Sequence, residues 1–208
     1  VADTGVGVSI VTVNTLVDVD PGDLIVCICA NTNSVAISGV SDPLGTVYTG
    51  STAETQATVV CRQFWAIAGP GMVAGTPITM ALASNTGRKF MQVYSVKGVL
   101  APASSSVDLF GTATTGTSPA PTAPTITLGP FGAADGIMFV MDYISLSQGE
   151  QYNPDLSFTY APEALVQTTR MFRTAWRKHT ATTAITYASS GAGTRTWVCD
   201  AISFKKAA

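Results

Sequence analysis

The chain has 208 residues, 46% hydrophobic and only 12% charged, which is enough to bury a core without metals or disulfides. Its formal net charge of −2 rests on 11 Lys and Arg against 13 Asp and Glu, so coating nucleic acid by neutralising phosphates is excluded. The longest clearly apolar run, Leu24 to Ala30, is too short to span a bilayer as a helix, and no basic stretch leads into an apolar one at the start.

Val8, Ile10 and Thr12 alternate with Ser9, Val11 and Val13, the period of a strand. Pro21-Gly22-Asp23 interrupts it, and Leu24 to Ala30 follows as an apolar run between turn residues, which predicts a strand buried on both faces. Asn31-Thr32-Asn33 ends that strand, Val35 to Val40 predicts another, and Asp42-Pro43-Leu44-Gly45 turns the chain. A longer strand over Thr58 to Ala68 puts Cys61, Gln63, Trp65 and Ile67 on one face and Val60, Arg62, Phe64 and Ala66 on the other. Gly69-Pro70-Gly71 closes it, and Pro77 to Leu82 and Arg88 to Lys97 complete a first half of about residues 1–110. Residues 111–130 hold four prolines, which disfavours a central strand. An extended loop across one sheet is preferred there to an interdomain linker. Residues 161–167, with Pro162 at their start, read as one short helical turn.

From about residue 131 to 208 the earlier pattern resumes. Gly136-Ile137-Met138-Phe139-Val140-Met141 repeats the style of Asp23 to Cys29, and Trp176 follows Arg173 at the spacing with which Trp65 follows Arg62. At a constant offset of 107, Ile78, Thr79, Ala81 and Arg88 match Ile185, Thr186, Ala188 and Arg195, and Phe90 aligns with Trp197. The expected fold is one all-β domain over residues 1–208. It is a jelly-roll-like antiparallel β-sandwich of about eight strands, built from two pseudo-repeated Greek-key halves.

Few residues are arranged for chemistry. The single histidine, His179, has cations as sequence neighbours, not the carboxylate that orients a catalytic base, so no catalytic residue is assigned. Asp18 and Asp20 share a strand face and have oxygens that suit Ca²⁺, but Asp-x-Asp ahead of Pro-Gly reads as a solvated strand end, and no metal or cofactor is assigned. Gly69-Pro70-Gly71 and Gly191-Ala192-Gly193 lack a following Lys-Ser/Thr and are hairpin turns, not phosphate cradles. Trp65, Trp176 and Trp197, with Tyr94, Tyr143 and Tyr187, are the ring types of a sugar-stacking platform. Each Trp alternates in phase with apolar or small residues, however, which reads as core packing.

Cys27, Cys29, Cys61 and Cys199 contain no Cys-x-x-Cys pair and read as reduced core thiols. With no Asn-x-Ser/Thr sequon, they fit synthesis in a reducing cytoplasm. Along Met171 to Arg177, Arg173 and Arg177 share a face with Ala175, and Arg170 and Lys178 adjoin it. Arg170, Arg173, Arg177 and Lys178 are therefore the candidate subunit-contact patch. Either they form a solvated sheet face, or their guanidiniums hold carboxylates of an underlying subunit.

Taken in order, several segments carry a likeness: Pro21-Gly22-Asp23-Leu24-Ile25-Val26, Ser38-Gly39-Val40-Ser41-Asp42-Pro43-Leu44-Gly45, Phe64-Trp65-Ala66-Ile67-Ala68-Gly69-Pro70-Gly71, Ile78-Thr79-Met80-Ala81 and Val93-Tyr94-Ser95-Val96-Lys97-Gly98-Val99. This succession resembles the β-sandwich domains of tailed-phage virion proteins, of the capsid decoration and minor tail types. The likeness runs from about Val8 to Phe204. It implies assembly, adhesion or stabilisation in a virion without catalytic residues or cofactor, with the major capsid protein or other virion subunits as partners. A homo-oligomer, with a trimer favoured, is expected on a capsid, with neither nucleic acid nor membrane as partner. A tail or fibre protein contacting the host is the first alternative, and a carbohydrate-binding module the second.

Overall fold

The computed structural model describes residues 2–4, 9–56, 58–84, 87–99, 107–110, 114–118, 125–145, 152–153, 155–161, 166–167, 170–191 and 195–207. Among these the chain is all-β, with no helix, and its strand pairs are antiparallel. In chain order the strands are β1 (Ala2–Thr4), β2 (Ile10–Asn14), β3 (Leu24–Thr32), β4 (Ile37–Ser41), β5 (Thr49–Gly50), β6 (Glu54–Gln56), β7 (Val59–Ile67), β8 (Pro77–Leu82), β9 (Lys89–Val96) and β10 (Val107–Phe110). They continue with β11 (Thr114–Ser118), β12 (Thr125–Leu128), β13 (Gly136–Ser145), β14 (Tyr152–Asn153), β15 (Thr159–Tyr160), β16 (Val166–Gln167), β17 (Arg170–His179), β18 (Ile185–Ala188), β19 (Ser190–Gly191) and β20 (Arg195–Lys205). The chain divides into two compact units, one of Val1–Ala53, Thr58–Ser106 and Ala207–Ala208, the other of Glu54–Ala57 and Val107–Lys206.

In the first unit one sheet runs β1-β9-β3-β7-β5 and a second runs β2-β8-β4. Their core follows from strand alternation. Ile25, Cys27 and Cys29 of β3, with Val60 and Phe64 of β7, meet Val11, Ile37, Ile78 and Met80 of the smaller sheet. The remaining residues of β3, Leu24, Val26, Ile28 and Ala30, are buried as well, as the unbroken apolar run requires.

The second unit is built the same way. Its main sheet runs β10-β20-β13-β17-β15, with β11 also on β20, and β12 pairs with β18. Met138, Val140, Met171, Ala175, Trp197, Cys199 and Ala201 pack with Ile126, Leu128, Ile185 and Tyr187 of that pair. The succession β2, β3, β7, β8, β9 is thus repeated by β12, β13, β17, β18, β20, with the same neighbours in each sheet.

The Trp65–Trp176 correspondence falls on matching ladder positions. Trp65 lies opposite Val26 with Arg62 opposite Cys29, and Trp176 lies opposite Phe139 with Arg173 opposite Asp142. At the offset of 107, Ile78 and Ile185 both enter their cores. The alignment of Phe90 with Trp197 fails. Met91 lies opposite Cys29 and Cys199 opposite Asp142, so β20 is one residue out of that phase. Trp197 is therefore a core residue, while Phe90 faces away from the core that holds Met91.

Three expectations change. Each half carries a two-sheet core of its own, and twenty strands form among the described residues, many only two to five residues long. Within 111–130, β11 pairs along Arg195–Cys199 and β12 along Ile185–Ala188, because the prolines stand outside both strands and Ile126 and Leu128 alternate inward. Of the expected helical turn, residues 162–165 lie outside the described residues, and Val166–Gln167 are strand, paired with Arg170 and Met171.

All four cysteines are buried thiols. Burial raises the pKa of Cys27 and Cys29, so the reactive thiolate is suppressed. A thiol-specific reagent is expected to label none of the four in the native protein and all four after unfolding. Rapid labelling of any one would contradict this packing.

Candidate functional site

Of the expected contact patch, Arg173 lies inside its unit and not at its surface. Alternation along β17 puts Arg173 and Arg177 on the side of Met171 and Ala175, and both of those are core residues. Arg173 is consequently 3% exposed and taken up inside the unit. Its Nε donates to Asp142 Oδ1 at 3.1 Å and its Nη2 to Asp142 Oδ2 at 2.8 Å, a two-pronged pair across adjacent strands. Arg173 of the expected contact patch is thus buried and paired with Asp142 inside its own unit. The reason is plain: both faces of β17 are buried, including Phe172 and Thr174 opposite, so charge alone does not mark the outer one.

Asp142 is held further by Tyr187, whose hydroxyl donates to Oδ2. Tyr160 donates to the Tyr187 oxygen at 3.3 Å and accepts from the Asp155 amide at 2.8 Å, while its ring lies 5.6 Å from the Arg173 guanidinium. Burial works against the Arg173 charge, but the carboxylate of Asp142 outweighs it and raises the arginine pKa. Tyr187 is shifted well up by burial and then by Asp142, and Tyr160 is pushed up to about 12, again mainly by burial. The cluster therefore holds one buried ion pair and two phenols that stay protonated at neutral pH.

Arg177, half-buried, donates to Ser157 Oγ at 3.2 Å and lies 5.9 Å from the Phe158 ring. Ser157 in turn donates to Asp155 Oδ1 at 2.7 Å. Lys178 is exposed, and the side chain of Arg170 lies outside the described residues. His179 ends β17 buried, stacked on Phe131 with ring centroids 4.0 Å apart, its Nε2 3.1 Å from Ser203 Oγ and its Nδ1 3.3 Å from the Ala134 carbonyl. Both partners are neutral and Ser203 is fully buried, so this is a packed histidine.

Asp18 accepts from the Ala74 amide at 2.8 Å, and Asp20 pairs with Lys97. No group of three metal-ligating side chains occurs among the described residues. Of the six rings, Trp65, Trp197, Tyr143 and Tyr187 are buried, and Trp176 and Tyr94 are half-buried.

One feature of the first unit escapes the sequence. The β2–β3 loop exposes Leu16 (93%) and Val17, and the β7–β8 loop exposes Val73. The two loops are tied by Thr15 Oγ1 to the Val73 carbonyl at 2.7 Å and by the Val19 amide to the Met72 carbonyl at 2.9 Å. The β4–β5 loop adds Leu44 and Val47 (83%), and a Cβ on Gly71 would lie 3.8 Å from Leu44 Cδ2. The loops at one end of this unit thus present several large apolar side chains to solvent. In the sequence Leu16 and Val17 are indistinguishable from core residues. Comparison with protein-family models, curated proteins and solved structures yields no match.

Proposed function

We propose that the protein is a non-enzymatic virion component, a head decoration or auxiliary capsid protein that packs on the assembled major capsid shell and stabilises it. In this reading the two units are Greek-key, jelly-roll-like modules acting as a symmetric homo-oligomer, with a trimer favoured. The observation that carries it is the apolar loop end bearing Leu16, Val17, Val47 and Val73, because solvated surface of that kind is stabilised by being covered. A chain with only 12% charged residues supports the same reading. A protein that binds the assembled shell and not its separate subunits adds its binding free energy to the assembled state. Burial of Trp65 and Trp197 favours this over a glycan-binding module.

The test is cosedimentation of purified protein with empty shells, alongside shell melting. Each exposed Leu or Val buried at the contact contributes about 1.5–3 kcal/mol. Leu16→Asp with Val73→Asp is therefore expected to weaken shell binding by at least about tenfold while the protein's own unfolding midpoint holds. Failure to bind shells, with binding to cell-wall sugars or labelling at low copy in the tail, would overturn the proposal in favour of the alternative readings.

A further inference from the structure

The loops at the apolar end of the first unit are fastened from within. Between the β2–β3 and β7–β8 loops, the Thr15 amide donates to the Thr76 carbonyl at 3.0 Å, the Gly75 amide to the Thr15 carbonyl at 2.8 Å and the Ala74 amide to Asp18 Oδ1 at 2.8 Å. In the β4–β5 loop, Asp42 Oδ1 accepts from the Leu44 amide at 2.8 Å and the Thr46 amide at 3.3 Å, and Tyr48 donates to Oδ2 at 2.9 Å. Leu44 also stands against Gly71, where a Cβ would lie 3.8 Å from its Cδ2, so the β4–β5 and β7–β8 loops adjoin. Leu44, Val47 and Val73 are therefore held out in solvent by ordered backbone, which lowers the cost of ordering a contact surface on binding.

The same three loops carry charge of one sign. Residues 15–23, 42–48 and 68–76 contain Asp18, Asp20, Asp23 and Asp42 and no Lys or Arg. Asp18 and Asp20 are exposed, and Lys97, just past β9, pairs with Asp20. Asp23 is 7% exposed, and its Oδ2 has no hydrogen-bond partner among the described residues. At Asp42 burial acts to raise the pKa, but the hydrogen bonds from Thr46, Tyr48 and Leu44 outweigh it and lower it, so this carboxylate is charged at neutral pH. Apolar side chains set among carboxylates select between occupants. A second copy laid end to end would bring these aspartates against like charge, and an anionic lipid surface would meet the same repulsion. A protein surface with Lys or Arg among its apolar side chains gains from both features.

We propose that this loop end docks a partner protein whose contact segment combines apolar side chains with Lys or Arg, the apolar ones meeting Leu44, Val47 and Val73 and the cations meeting Asp18 and Asp42 beside them. It rests on the loop end being a contact surface, as in the capsid reading, and adds the chemistry of the partner.

Two disulfide-closed hairpin peptides are the probes, one alternating Leu with Lys and its twin alternating Leu with Glu. At low ionic strength the whole protein is expected to bind the Lys peptide at least about tenfold more tightly than the Glu twin, read by fluorescence anisotropy. Hydrogen exchange should slow at amides of residues 42–48 and 71–76. Asp18→Asn with Asp20→Asn keeps an acceptor for the Ala74 amide and should bring the two peptides to within roughly threefold of each other. Leu44→Ser with Val47→Ser should abolish binding of the Lys peptide. Neither pair is expected to move the unfolding midpoint, since all four side chains are exposed. Equal binding of the twins, or Lys-peptide binding that survives Leu44→Ser with Val47→Ser, would overturn the proposal. Binding to phosphatidylcholine vesicles, or self-association in sedimentation, that this last pair abolishes would assign the end to lipid or to a second copy and overturn it too. The peptides contain no virion component, so loss of the Lys preference and failure to bind shells are separate results.

Discussion

Replacing Asp142 by Ala is expected to lower the stability of the protein by about 3–5 kcal/mol, the cost of leaving one member of a buried ion pair without its counter-charge. The side chains of Arg173 and Asp142 are 2% and 0% exposed, so water cannot replace the lost carboxylate. The Tyr187 hydroxyl loses its acceptor in the same step. The first unit provides an internal control for what the pair contributes. There the matching positions are Arg62 and Cys29, and no carboxylate faces the arginine from β3. Arg62 donates instead to the carbonyls of Ser51 at 2.8 Å and Ile37 at 3.1 Å and lies 4.7 Å from the Phe64 ring. The architecture therefore forms without the ion pair, and the double replacement Asp142→Leu with Arg173→Met is expected to cost far less than Asp142→Ala alone. Denaturant melts of the two single variants and the double variant measure this coupling. A loss below about 1 kcal/mol for Asp142→Ala would mean that Arg173 finds solvent or another acceptor, contrary to its burial.

How far the fold is legible in the sequence depends on which physical signal a segment carries. Leu24 to Ala30 announces a strand buried on both faces because nothing polar interrupts it, and it becomes the centre of its sheet. The spacing from Arg62 to Trp65 and from Arg173 to Trp176 locates the internal repeat, since one strand position is reused in both units. Alternation separates the two faces of β17 but does not name the inner one. Arg173 therefore reads as a surface cation, whereas a partner on the neighbouring strand, thirty-one residues earlier in the chain, neutralises it in the core. The prolines of residues 111–130 obscure β11 and β12, which fit between them. Leu16 and Val17 defeat sequence reading from the other direction, as apolar side chains placed in solvent by a loop whose hydrogen bonds run to residues near position 75.

Gly129 is where backbone geometry and crowding coincide, and Gly129→Ala is expected to destabilise the protein by about 2–4 kcal/mol. Its φ of +136° lies where side-chain-bearing residues are rarely found. A Cβ there would also stand 2.4 Å from Ala184 Cα and 3.0 Å from its nitrogen, so backbone would have to yield. The segment has little room to do so. Gly129 follows directly on Leu128 of β12, and two residues later the Phe131 amide donates to the Thr182 carbonyl at 2.8 Å, with Leu128 and Phe131 both in the core. Shifting the turn thus withdraws apolar contacts on both sides of it. Gly22→Ala separates the two contributions, because Gly22 also has a positive φ, +95°, but a Cβ there meets nothing within 4 Å. It is expected to cost only the conformational penalty, about 1–2 kcal/mol. Equal losses for the two variants in parallel melts would show that the approach of Ala184 contributes nothing, and that the turn after β12 relaxes without disturbing the core.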